Sequence, residues 1–190
     1  EIEVVAREWA ESVNPTEPNP DIYCQTRDVF QARLEGLQSR LSKIMSIEMV
    51  SLIVAVAGEI GNNSFDHNLG NWPDILGIFF SYSIRSRKIA LADRGQGILT
   101  TLKRVRTELI NSRDAMRVAF TETISGRYPE ARGNGLKFVK SIIIKNPLSL
   151  YFKTGDAQLY LKKGDDQLNI QQAKIAINGC FAVISFEGSL

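Results

Sequence analysis

Apolar residues recur at helical spacing through Met49, Leu52, Ile53, Val56 and Ile60, which predicts a long helix beginning near Ser46. One turn further along, the pattern meets Glu59, Asn63 and Asp66. These three fall within about one sixth of the helix circumference, at about 100° per residue. A carboxylate buried without a partner is costly. The stripe is therefore expected to run out into a polar cleft, with Glu59 and Asn63 one turn apart and facing the same ligand.

The remaining patterns fill in the architecture. Residues 1–13 read as a short helix, and Asn14–Pro20 carries three prolines that force a loop. Asp28 to about Met45 reads as an amphipathic helix. Ile75–Ile84 and Lys88–Asp93 are rich in Ile, Leu, Phe and Tyr and read as strands. Within the first of these, Phe79, Phe80 and Tyr82 read as sheet core. Residues 98–124 alternate charged with apolar positions and predict one or two helices, with Lys103, Arg104 and Arg106 on a solvated face. Ser125–Gly135 is a loop rich in Gly and Arg, and Leu136–Lys145 is a helix that ends before Pro147. Short strands are expected near Ser149–Lys153, Gln158–Lys162, Leu168–Gln171 and Phe181–Glu187. Helices, then strands, a helical excursion, a helix and strands again predict a sheet covered on one face by helices.

Composition narrows the function classes. The chain has 190 residues, 44% of them apolar and 23% charged, with a net charge of +2. That suits one domain with a real core and gives no broad case for nucleic acid or a membrane surface. No membrane-spanning run or signal peptide is visible. Cys24 and Cys180 are isolated, which excludes a metal site or disulfide framework and fits a cytoplasmic location. The chain begins at Glu1, so an excised portion of a longer protein remains an open reading.

Two glycine loops carry the candidate chemistry. Asp93-Arg94-Gly95-Gln96-Gly97-Ile98 directly follows an apolar strand. An aspartate at a strand end can accept a hydrogen bond from an exocyclic amine, and Gly95 and Gly97 let a flat ring approach the backbone. Arg132-Gly133-Asn134-Gly135-Leu136 opens a helix, where backbone amides suit phosphate oxygens. Each loop alone is a weak signal. Together with Glu-x3-Asn on a helix, in this order, they are a strong one.

That set resembles the GHKL superfamily of ATP-binding domains, the Bergerat fold, which includes DNA gyrase, the large heat-shock chaperones, histidine kinases, mismatch-repair ATPases and anti-sigma serine kinases. The resemblance covers roughly residues 45–187. It implies an α/β two-layer sandwich, with a mixed, mostly antiparallel sheet and helices on one face. It divides the chain into an N-terminal helical segment of unexplained role, 1–45, and an ATP-binding domain, 46–190, with a lid at 99–132. By the resemblance Asn63 contacts magnesium, and Glu59 orients or deprotonates the attacking water or hydroxyl. Asp93 binds the adenine amine, Gly95 and Gly97 shape the adenine pocket, and Gly133, Asn134 and Gly135 lie by the phosphates. Arg127 or Arg132 would reach the phosphates from the lid. Asp66 would ligate through water or pair with a lid arginine.

The implied activity is Mg-ATP binding with slow hydrolysis or phosphoryl transfer to a regulatory protein partner, in the manner of an ATPase or a serine/threonine-type kinase. A non-catalytic nucleotide switch, an excised ATPase portion of a sensor kinase or dimeric ATPase, and a homodimer stay open. Asn63-Ser64-Phe65-Asp66 resembles the gyrase and mismatch-repair branch, whereas His67 resembles the anti-sigma and sensor-kinase branch. His67 is the single histidine and reads as a packing or capping residue, so a sensor-kinase phospho-acceptor is absent from this chain. The last strand has Gly179-Cys180 where the family often has Gly-Thr for adenine, and a thiol is a poor substitute donor.

Overall fold

In the computed structural model, which describes residues 1–123 and 135–187, the elements follow the local signals. Ile2–Glu11 forms α1, Tyr23–Cys24 the short β1 and Arg27–Leu41 α2. Ile47–Asn68 forms the long α3, Ile78–Ser83 β2 and Lys88–Asp93 β3. Gly97–Leu102 is α4, Ser112–Thr121 α5 and Gly135–Lys145 α6, and Leu148–Lys162 and Ile170–Phe186 form β4 and β5. Capping explains the helix starts. Ser46 Oγ accepts the Met49 amide at 3.3 Å before α3, and Thr26 Oγ1 accepts the Val29 amide at 3.4 Å before α2. The Asn111 side chain does the same for the Asp114 amide at 2.9 Å before α5.

The five strands form one sheet in the order β1-β2-β3-β5-β4, with every pairing antiparallel. The main core lies between this sheet and α2, α3, α5 and α6. It includes Phe30, Leu37, Ile53, Phe80, Phe120, Ile143 and Phe152, all essentially buried. This is the predicted two-layer α/β sandwich, with one addition. α1 crosses to the other face of the sheet, where Ala6, Trp9 and Ala10 pack on Phe79, Ala90, Ala92 and Phe181. β2 and β3 are thus covered on both faces, which accounts for the apolar runs Ile78–Phe80 and Ile89–Ala92 within them.

Three details differ from the sequence reading. The four short strands expected after Pro147 are two long ones. The breaks suggested by Gly155 and Gly179 are irregularities inside them, with register shifts between Thr154 and Gly155 and between Gly155 and Ala157. The buried stripe of α3 runs through Val50, Ile53, Ala57, Ile60 and Gly61 into Ser64 and Asn68. Glu59, Asn63 and Asp66 stand half-buried beside it, because helical advance carries the core stripe past them. β1, two residues long, was not anticipated, since nothing so short shows a period.

No helix among the described residues is long and apolar enough to cross a membrane.

Candidate functional site

β3 ends on Asp93, which is 2% exposed. Ser64 Oγ donates to Asp93 Oδ2 at 2.7 Å, and the Gly95 amide donates to Oδ1 at 2.8 Å. The backbone of Cys180 adds a third donor. Burial outweighs these three donors and pushes the carboxyl up from its ordinary 3.8 to about 6. Gly179 lies against the carboxylate with φ +70°, and a Cβ there would overlap Asp93 Oδ1. Only glycine satisfies both conditions. The neighbouring thiol of Cys180 is held well above its ordinary value, chiefly by burial and then by the charge of Asp93.

The turn after Asp93 is tied to the end of α3. Asn68 Oδ1 accepts the Gln96 amide at 2.7 Å, while its Nδ2 donates to the Ser64 carbonyl at 2.8 Å. Gln96 Nε2 donates to the His67 carbonyl at 3.0 Å. From the other side Thr154, on β4, accepts the Ile98 amide at 3.2 Å and donates to the Gly179 carbonyl at 2.8 Å. Ser64, Asn68 and Thr154 were not singled out from sequence. The first two carried a signal, since they are polar residues on the stripe that continues Ile53, Ala57 and Ile60. Thr154 carried none, because its partners come from α4 and β5.

A second polar group lies one to two turns back along α3. A Cβ on Gly135, at the start of α6, would stand 2.8 Å from Glu59 Oε2 and 2.9 Å from Asn63 Nδ2. The glycine opening the last helix therefore faces the Glu-x3-Asn pair directly. Glu59 and Ser64 are five positions apart, about 7–8 Å along the axis at 1.5 Å per residue. Asp66 forms an ion pair with Arg27 of α2. Arg127, Arg132, Gly133 and Asn134 lie outside the described residues.

As to metals, no group of three or more His, Cys, Asp or Glu side chains that could hold an ion occurs among the described residues. Magnesium that keeps its waters and takes ligand oxygens needs only one or two protein oxygens, and Asn63 and Glu59 can supply an amide and a carboxylate oxygen. A separate open cavity of about 280 Å³ on the β4–β5 hairpin, bordered by Tyr151, Gln158 and Tyr160, includes none of these residues.

No family model and no curated protein matches the sequence. The structure is similar to two solved ATPase domains. One is the 43K ATPase domain of Thermus thermophilus gyrase B, in complex with an aminocoumarin. Its TM-score is 0.43 at 16% identity, over 81% of this chain and 39% of that one. The other is the ATP-binding domain of Francisella tularensis topoisomerase IV, in complex with a small-molecule inhibitor. Its TM-score is 0.40 at 15% identity, over 70% of this chain and 36% of that one. The chain spans well under half the length of either.

Proposed function

We propose that the cleft binds Mg-ATP and supports slow hydrolysis or phosphoryl transfer to a regulatory protein partner. The observation that carries this reading is convergence. Three segments far apart in sequence meet along α3, with Asp93 against the buried Ser64 at one end and Gly135 against Glu59 and Asn63, on the flank beside that stripe, at the other. A ligand filling both ends is elongated, with a hydrogen-bond donor at one end and oxygen-rich groups at the other. A nucleoside triphosphate has that form.

In this reading Asp93 accepts a hydrogen bond from the base amine on the lone pair left over from Ser64, Gly95 and Cys180. Asn63 holds the metal through its amide oxygen. Magnesium, when bound, neutralises charge on the phosphates. Glu59 orients the attacking water or hydroxyl and takes its proton. Residues 46–190 form the ATP-binding unit, with 99–132 as the segment over the nucleotide. A cytoplasmic signalling role belongs to the same proposal.

Calorimetric titration with ATP, with and without magnesium, tests it. Magnesium-assisted binding that Asp93→Asn abolishes is the expected result. Absence of binding heat in the wild type at millimolar ATP would overturn the reading. If binding holds, Glu59→Ala is expected to retain ATP and lose turnover.

A further inference from the structure

Two cations that the proposed chemistry does not use are sealed behind the sheet. Arg94 is 4% exposed and Lys153 is 3% exposed. Charges at that depth persist only when paired and hydrogen-bonded, and both find partners on the last turn of α1. Arg94 Nη1 donates to the Trp9 and Ala10 carbonyls at 2.9 Å each, at the helix end where the Trp9 carbonyl also accepts the Ser12 amide at 3.3 Å. Its other nitrogens hold Asp74 at 2.9–3.2 Å, and the guanidinium stands 5.9 Å from the Trp9 ring centroid. Lys153 Nζ donates to Glu11 Oε1 at 2.6 Å.

Their places in the chain matter. Arg94 directly follows Asp93, and Lys153 directly precedes Thr154. Successive side chains of an extended segment point to opposite faces. The two groups that build the floor of the cleft are therefore each one backbone step from a cation that grips α1. Undocking the end of α1 would take two carbonyl acceptors and the Trp9 ring from Arg94 and the Glu11 carboxylate from Lys153, and the turn of either cation toward water moves the backbone that carries Asp93 or Thr154.

We propose that Arg94 and Lys153 are positioning residues for the nucleotide site, so that docking of α1 and ordering of the base pocket are one coupled event. This rests on reading the cleft as the nucleotide site. Residues 1–11 then set nucleotide affinity from the opposite face of the sheet. By reciprocity, nucleotide tightens the docking of α1.

The test is ATP titration with magnesium on the wild type, Arg94→Met, Lys153→Met and Glu11→Gln, together with hydrogen exchange of α1 with and without ATP. Samples are compared at a temperature where melting curves show each fully folded. The expected result is a Kd raised about fivefold or more. In the wild type ATP slows exchange in α1 and around Ser64–Asn68; in the variants only the second effect remains. A purely structural role would lower Tm and leave both Kd and the ATP response of α1 unchanged. That result, or α1 exchange indifferent to ATP in the wild type, overturns the proposal while the nucleotide reading stands. A wild type that binds no ATP overturns both. If either buried cation variant fails to fold, Glu11→Gln decides, since it removes the charge from a side chain that is 20% exposed and keeps its shape.

Discussion

Replacing Asp93 with asparagine separates the cost of this residue from its use. The carboxyl is held at about 6 in the folded protein against an ordinary 3.8. Between those values the native state keeps a proton that the unfolded chain has released, so stability falls as pH rises through this window. The favourable contribution is complete below 3.8 and lost once pH passes about 6. At about 1.36 kcal/mol per pH unit, the ionised form costs the fold about 3 kcal/mol above the window. Asparagine keeps the shape and removes the charge. Its Oδ1, with two lone pairs, can still accept from the Gly95 and Cys180 amides. Its Nδ2 can donate to Ser64 Oγ, whose hydroxyl already lies 3.4 Å from the Ile60 carbonyl and can turn to it. Asp93→Asn is therefore expected to be more stable than wild type by about 1–3 kcal/mol at pH 8, with the gap closing below pH 4. Urea unfolding at a series of pH values reads this directly. A variant less stable than wild type at pH 8, or a gap that does not change with pH, would refute the reasoning. In the same sample ATP binding is expected to be lost.

Three further substitutions probe the packing that makes the cleft. Gly135→Ala adds a methyl within 3 Å of Glu59 and Asn63; at a helix start it is expected to hold or raise stability by up to about 1 kcal/mol, while calorimetry shows weakened Mg-ATP binding. Equal affinity would mean that Gly135 is not at the ligand. Thr154→Val leaves the Ile98 amide and Gly179 carbonyl without their buried hydroxyl and is expected to cost about 1–3 kcal/mol by denaturant unfolding. A loss below about 0.5 kcal/mol would show that water or a local shift replaces it. Gly61→Ala drives a Cβ into the buried Phe30 ring, which packs edge-on to Phe80 at 5.2 Å. A net loss of about 1–2 kcal/mol is expected after the helix-propensity gain, and an unchanged Tm would contradict the α2–α3 packing.

What was legible in the sequence is what a local pattern can encode. The period of α3, the apolar runs of β2 and β3 and the glycine turn after Asp93 each lie within one segment, and each appears where its pattern placed it. The registers that join segments are not encoded this way. Nothing near Thr154 says that its hydroxyl will meet Ile98 and Gly179, and nothing around Gly155 distinguishes a bulge inside one strand from a break between two. Ser64 and Asn68 show where a stricter reading would have gained. The residues on the buried stripe itself anchor Asp93 and its turn, and those beside it face the opening. A polar group fully inside a helix stripe must have a partner, so its position predicts a buried acceptor or donor across the interface, here Asp93 and Gln96. The same logic applies to Arg94. An arginine inside an Asp-x-Gly-x-Gly turn reads as a solvent-facing spacer until its five donors are counted against the α1 carbonyls, Asp74 and the Trp9 ring. Residues 1–45, which no motif covers, supply an edge strand, the helix that packs on α3, the Glu11 partner of Lys153 and two carbonyl acceptors for Arg94. The site is thus built by the whole chain, and only its ligand-facing residues are written in motifs.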